Sequence, residues 1–498
     1  MLPRLLLLQQ LLYRLSSYDR GSLHIMVDDW AEEYGDCYRL SLPAPGICVS
    51  DTPTIMAVLQ QRPGTFSREA GLCEMVINFG FRGVFTARGE EWKRYRRLTA
   101  PHFSRPNVRN MVKYACDMAA KLCSNWAKHA DSGEAFDCMA GCALYALDVG
   151  CLAVMGRDVG ALDGARAGRD ALRLKDVISA RLCSPLPLYR LFRDDETEAA
   201  KKRFDSLVVG LIDEYRKQQE ATATATGDAP AAAAAADAAI PAASSAVAAP
   251  NSNLLKHVLR ATDPGSAAAT DRSALTTAEM VGNVKTYMLA GSDTVGAGLS
   301  WLLYYVAAHA DVQEGISAEL LTEMAGAGGV NSEGLEDTLT WDQLERLEYL
   351  DAVVQETMRV RPLVPNIWTQ AERDTAVAGV AIARGDSVIV NLRKPCRLDA
   401  NFTDAAAFWP ERWLIADGKR APPEGVADFR HNKVVGSFGF GPRNCPGQVL
   451  AVVEIKVAIA FLVRAFTIGL APGQGAPKEY EGLAMAPDAV RLVLQRRQ

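Results

Sequence analysis

Two long stretches of this chain are apolar on nearly every side, and each reads as a buried helix. The first runs from about Thr277 to Ala310, where Trp301-Leu302-Leu303-Tyr304-Tyr305-Val306 leaves no polar face, the pattern of a helix covered all round. Thr276 and Glu279 precede it at the spacing of a capping box. The second, Gln448 to Phe466, follows Pro446, a residue suited to a first helical turn because its missing N–H is not needed there. Asn253 to Thr262 has an amphipathic helical period. Residues 221–250 are alanine-rich, yet Gly227, Pro230, Pro241 and Pro250 interrupt every run, which predicts a disordered surface insertion.

Composition narrows the picture. The chain has 498 residues, 49% of them hydrophobic, enough for a deep core, and its net charge of −5 gives no basis for nucleic-acid binding. The eleven cysteines form no CxxC pair and no zinc spacing, and their odd number without a secretory signal argues against a disulfide scaffold. Ten of them read as small buried hydrophobes. The six histidines stand at no ligand spacing. Residues 1–20 are leucine-rich but interrupted by Arg4, Gln9, Gln10 and Arg14, short of the roughly twenty apolar residues of a spanning helix. The expectation is a short N-terminal segment with no full membrane anchor. It leaves the chain soluble or in peripheral contact with a membrane surface, or placed at the endoplasmic reticulum if an anchor precedes it.

The eleventh cysteine is different. Phe438-Gly439-Phe440-Gly441-Pro442-Arg443-Asn444-Cys445-Pro446-Gly447 holds Cys445 in a glycine-rich loop just before the Gln448 helix. Backbone N–H groups and a helix N-terminus stabilise a thiolate there. The loop resembles the haem-thiolate signature of the cytochrome P-450 superfamily, and four further segments follow that family's order. Ala290-Gly291-Ser292-Asp293-Thr294 is similar to its oxygen-activating motif. Glu356-Thr357-Met358-Arg359 and Phe408-Trp409-Pro410-Glu411-Arg412-Trp413 resemble its ExxR and FxPER segments. Trp92-Lys93-Arg94-Tyr95-Arg96 resembles its WxxxR helix. Tyr34-Gly35-Asp36 and Gln448 to Glu454 fit as flanks.

The resemblance implies a mainly α-helical fold with a small β-rich region, a single catalytic domain over 21–498, and haem b (iron protoporphyrin IX) between the long central helix and the cysteine loop. Cys445 would be the axial iron ligand, shielded by Phe438, with Gly439 and Gly447 letting the backbone close on the sulfur. Trp92, Arg96 and Arg443 would meet the haem propionates. Gly291 would leave room for dioxygen, Thr294 would hydrogen-bond it, and Asp293 would relay protons. Glu356, Arg359 and Arg412 would form a buried structural triad. Val84, Phe85, Ala290, Val295, Leu363, Val364, Leu483 and Met485 would line an apolar substrate pocket. The implied reaction is monooxygenation of a small hydrophobic substrate. Electrons would come from NAD(P)H through a separate flavoprotein reductase or ferredoxin, for which Lys93, Arg94 and Arg97 offer a basic docking face.

One position departs from the family pattern. Where members often carry a propionate-binding arginine after the ExxR helix, this chain has Thr369, so Arg96 and Arg443 are left with more of that task. Two other readings stay open: a haem-thiolate isomerase or dehydratase acting on hydroperoxides, and a non-catalytic haem-binding protein.

Overall fold

A computed structural model of the chain describes residues 23–40, 46–183, 194–226, 253–261, 275–325, 338–414 and 438–497. The leucine-rich segment 1–20 and most of the alanine-rich stretch lie outside the described residues. Helices dominate. The central one, Thr277–Ala308, begins at the Thr276–Glu279 capping box, both halves of which are made. It packs most extensively against the helix Met139–Met155, and the helix Gln448–Ala465 is another of its neighbours. The main apolar core runs through all three, and Trp301 and Leu299 are fully covered.

The β-rich part is small. A five-stranded sheet orders Cys37–Leu40, Gly46–Val49, Ser387–Asn391, Asn366–Ala371 and Phe66–Arg68. Only Gly46–Val49 and Ser387–Asn391 run parallel. Phe136–Asp137, Arg491–Arg496 and Phe466–Leu470 form a second sheet, and two hairpins complete the strands described. Ionic contacts tie distant segments together around Glu479. Its carboxylate meets His24 at 2.8 Å, Arg393 at 2.7 Å and Arg397 at 2.8 Å, and also meets Arg361. These hydrogen bonds and positive charges hold it well below the usual carboxylate range, against the opposing effect of burial.

One sequence expectation is corrected. The helix Asp195–Thr226 continues through the first six residues of the stretch expected to be disordered. Glu220-Ala221-Thr222-Ala223-Thr224-Ala225-Thr226 contains no helix breaker; the first is Gly227.

The four glycines of the central helix separate by their surroundings. A Cβ on Gly282 would stand 1.9 Å from the Arg82 carbonyl oxygen, and one on Gly296 would stand 2.8 Å from Ala143 Cα. Gly298 would crowd Leu363 at 3.0 Å, whereas Gly291 would meet nothing within 4 Å. Gly282 and Gly296 are therefore close-approach residues against backbone that cannot step aside. Gly282→Ala should lower the urea unfolding midpoint by on the order of 1–3 kcal/mol of stability. Gly291→Ala should leave it unchanged or raise it by up to about 1 kcal/mol through helix propensity. Equal effects of the two would contradict this division.

Candidate functional site

The cysteine loop is built by two turns that need glycine. Gly439 and Gly441 have φ of 69° and 73°, in the left-handed region. A side chain on Gly441 would also strike the Leu59 carbonyl oxygen at 2.5 Å, so the loop lies directly on the end of helix Thr52–Gln60. The loop closes when the Cys445 N–H donates to the Phe438 carbonyl at 2.8 Å, and Phe438 packs against the main core. Burial pushes the Cys445 thiol up, while the Gly447 N–H and the Arg96 charge pull it down. The loop dipoles alone thus do not make the thiolate that the sequence predicts, because desolvation opposes them. A metal cation at the sulfur would supply the remaining stabilisation.

Guanidinium groups crowd the same region. Arg96, on helix Gly89–Thr99, donates from Nη1 to the Asn444 carbonyl at 2.9 Å and from Nη2 to Asn444 Oδ1 at 2.8 Å. It thereby clamps the loop one residue before the cysteine. Arg443 lies 4.9 Å over the Trp92 ring, and its Nη2 donates to the carbonyls of Val84, Phe85 and Ala87. Its Nη1 is buried without a partner, as are Nε and Nη2 of Arg62 and Nε of Arg68. Burial depresses Arg443 to about 9 and Arg68 to about 10, with Arg68, Arg96 and Arg88 adding repulsion on Arg443. A guanidinium does not give up its proton in a protein, so both groups remain positively charged in a buried setting. Sequence reading singled out Arg96 and Arg443 but missed Arg62, Arg68 and Asn444.

A second ionic centre is satisfied internally. The Glu356 carboxylate is fully buried and accepts from Arg359 Nε at 2.9 Å and Nη2 at 2.7 Å. It also accepts from Arg412 Nε at 3.0 Å, the Trp409 N–H at 2.8 Å and Trp413 Nε1 at 2.9 Å. Arg359 in turn donates to the carbonyls of Cys396, Ala405 and Ala407. Phe408 stacks on Tyr305 with ring centroids 4.1 Å apart, which joins this unit to the central helix.

In the mostly buried middle of the central helix, Ala290, Gly291 and Thr294 keep solvent access and share one face. The Thr294 hydroxyl donates to the Ala290 carbonyl at 2.7 Å, leaving its oxygen free to accept. Asp293 is 9% exposed; Ala484 N–H donates to it, Lys175 Nζ stands 3.8 Å away, and Oδ2 has no partner. Burial raises its carboxyl to about 6, against the opposing pull of Lys175. Lys175 and Ala484 carried no sequence signal that would pair them with Asp293.

The expected pocket residues divide. Phe85 and Leu483 share an apolar cluster with Leu289, Phe79 and Phe81. Leu363 packs with Ala297, Trp301 and Ala484, while Val364 stays partly exposed. Val84 and Val295 belong to the main core, and Met485 is fully buried, its carbonyl accepting from Trp301 Nε1 at 3.1 Å.

Unpaired buried N–H groups beside a cysteine at a helix start fit an anionic group that presents both carboxylates and a metal. That is the donor chemistry of the haem-thiolate proteins. The sequence model of cytochrome P450 matches residues 2–494. Mouse cytochrome P450 4V2 is 28% identical over 393 residues, 78% of this chain and 68% of that protein. Cytochrome P450 4c21 of Blattella germanica is 26% identical over 452 residues, 88% of this chain and 82% of that protein. A probable cytochrome P450 4d20 of Drosophila melanogaster reaches 34% identity over 195 residues, 39% of this chain and 35% of that protein. The chain belongs to the cytochrome P450 family, and it is a monooxygenase that uses haem and dioxygen.

Asp293 sets a pH dependence with a definite sign. Its carboxyl binds a proton more tightly when folded, so its contribution to stability is complete below the unfolded pKa of about 4. That contribution is lost as pH rises through about 6. The urea midpoint of Asp293→Asn relative to wild type should therefore climb between pH 4 and pH 7. A difference that stays flat across this range would contradict the assignment.

Proposed function

We propose that this enzyme inserts one oxygen atom into a hydrophobic organic substrate held beside Ala290, Gly291 and Thr294. Electrons come from NAD(P)H by way of a separate flavoprotein reductase or ferredoxin. Haem would be held through Cys445 and would supply the oxygen-activating iron chemistry of a haem-thiolate site.

The chain's own residues do the rest. Trp92, Arg96 and Arg443 fix the edge of the cofactor, and Arg96 keeps Asn444, and with it Cys445, in place. Gly291 leaves the helix face open. Thr294 accepts a hydrogen bond at that face, and Asp293 carries protons inward. Lys175 reaches solvent 3.8 Å from the Asp293 carboxylate, a path by which a proton can be replaced. The observation that carries this reading is the accessible Ala290–Gly291–Thr294 face beside the buried Asp293 carboxyl, which burial pushes up to about 6. A carboxyl near that value both gives and takes a proton around neutral pH. Phe85, Leu483 and Val364 supply apolar surface for the substrate.

The hydroperoxide isomerase reading is disfavoured by the retained Thr294 and by a cysteine loop with no insertion. On the basic helix, Lys93 pairs with Glu90 at 2.6 Å and Arg94 with Glu279. Arg94 thus ties that helix to the start of the central one, and a docking surface for the electron donor rests mainly on Lys93 and Arg97. Among the described residues no helix is long and apolar enough to cross a membrane. We assign peripheral membrane contact to residues 1–20 on their leucine-rich sequence.

Thr294→Ala tests the oxygen-handling role. The variant should bind haem like wild type and consume NAD(P)H at a comparable rate. Product per NADPH should fall by on the order of tenfold or more, with hydrogen peroxide appearing in its place. Wild-type coupling in the variant would remove Thr294 from the mechanism.

A further inference from the structure

One hairpin connects the helix Leu23–Tyr34 to the surroundings of Asp293. The helix sets His24 against the strand Glu479–Glu481, which pairs antiparallel with Met485–Pro487. His24 is 1% exposed. Its Nε2 stands 2.8 Å from Glu479 Oε2 and its Nδ1 3.2 Å from Glu481 Oε2. Its backbone N–H donates to the same Glu481 oxygen at 2.7 Å. An ionised carboxylate only accepts, and a neutral imidazole has one N–H and one bare nitrogen. Both ring nitrogens donate only in the imidazolium form. A neutral ring would turn a lone pair toward one of the two carboxylates.

The charges around the ring come from several elements. Glu479 and Glu481 face it from the hairpin, and Arg361, Arg393 and Arg397 also meet Glu479. Asp28, on the same helix as His24, pairs with Arg393. Burial is the largest single influence on His24 and, with Arg393, works against its proton. The two carboxylates together outweigh them and raise His24 above its ordinary value of 6.5.

The far end of the strand reaches the substrate side. Glu481 leads into the turn Gly482-Leu483-Ala484, where the Gly482 N–H donates to the Ala484 carbonyl at 3.0 Å. Leu483 belongs to the apolar cluster of Phe85 and Leu289, and the Ala484 N–H donates to Asp293. The turn is also held by Ser179 Oγ, which accepts from the Leu483 N–H at 3.2 Å. Ala484 stands three positions after Glu481, and close-packed structure passes a displacement over so short a distance.

We propose that His24, as the imidazolium, is a positioning residue for the pocket: by holding Glu479 and Glu481 it sets the turn that presents Leu483 to the substrate and the Ala484 N–H to Asp293. The inference rests on the reading that substrate lies beside Leu483 and Asp293. The hold is complete below the unfolded value of 6.5 and is lost as pH rises through the raised folded value. His24 then gives up one ring proton, its bond to one carboxylate is lost, and the turn loosens against Asp293.

Hydrogen exchange of the haem-loaded protein, read by mass spectrometry, tests this. Protection, corrected for the intrinsic pH dependence of exchange, is compared at about pH 6.5 and about pH 9.5. Peptides covering Gly482–Met485 and the helix Leu23–Tyr34 should lose protection together, by on the order of tenfold or more. The central helix should keep its own. His24→Gln should show the low protection at both pH values, and His24→Lys, charged throughout, should keep the high one at both. Loss confined to the helix Leu23–Tyr34 would mean a purely structural histidine and overturns the proposal. Protection at Gly482–Met485 that stays flat in wild type overturns it too, and that readout stands even if His24→Gln fails to fold. Flat protection with a normal thiolate-type ferrous carbon monoxide band overturns the role of His24 alone. A wild-type protein without that band overturns the haem reading, and the pocket role of His24 with it.

Discussion

Uncompensated positive charge beneath the cysteine loop is the constraint on which the site depends. Arg62, Arg68 and Arg443 all bury guanidinium N–H groups that no acceptor among the described residues meets, and Arg96 adds its charge at Asn444, next to Cys445. An unpaired buried charge is among the most costly features a fold can carry. The chain places several together and commits the adjacent acids, Glu69 and Glu372, to other partners. An anion placed there would stabilise the arrangement, and the two propionates of a haem would meet that need. Cofactor binding would then add to the stability of this region by linkage.

The contrast with Glu356 is instructive. There a buried carboxylate faces two arginines and accepts five hydrogen bonds, counting those from Trp409 and Trp413. Nothing is left over, so the unit holds backbone in place and has no call for a ligand. Both centres are buried and arginine-rich. One is closed by the chain itself, and the other is open at the N–H groups facing the loop. The two centres differ in their carboxylates: Glu356 meets both of its arginines, whereas Arg62, Arg68 and Arg443 meet none among the described residues.

Local patterns were legible in the sequence and non-local ones were not. The capping box at Thr276 and Glu279, the ends of the central helix and the Glu356–Arg359 pair all depend on spacings of three or four residues. The reach of Arg412 and of the Cys445 loop followed from family resemblance. Arg68 was hidden because Glu69 beside it looks like a neutralising neighbour. Only the fold shows Glu69 turned to cap a helix. Gly291 alone among the glycines of the central helix had a role from the family resemblance, and tertiary contact gives Gly282 and Gly296 a different one. Residues 221–226 were read as disordered with the alanine-rich stretch, although their composition favours helix up to Gly227.

The most direct measurement is the absorption spectrum of the dithionite-reduced protein under carbon monoxide. Cys445 as axial thiolate predicts a strongly red-shifted Soret band. A band at the position of histidine-ligated haem, or no haem band at all, would contradict the account of the loop and of the charge gathered beneath it.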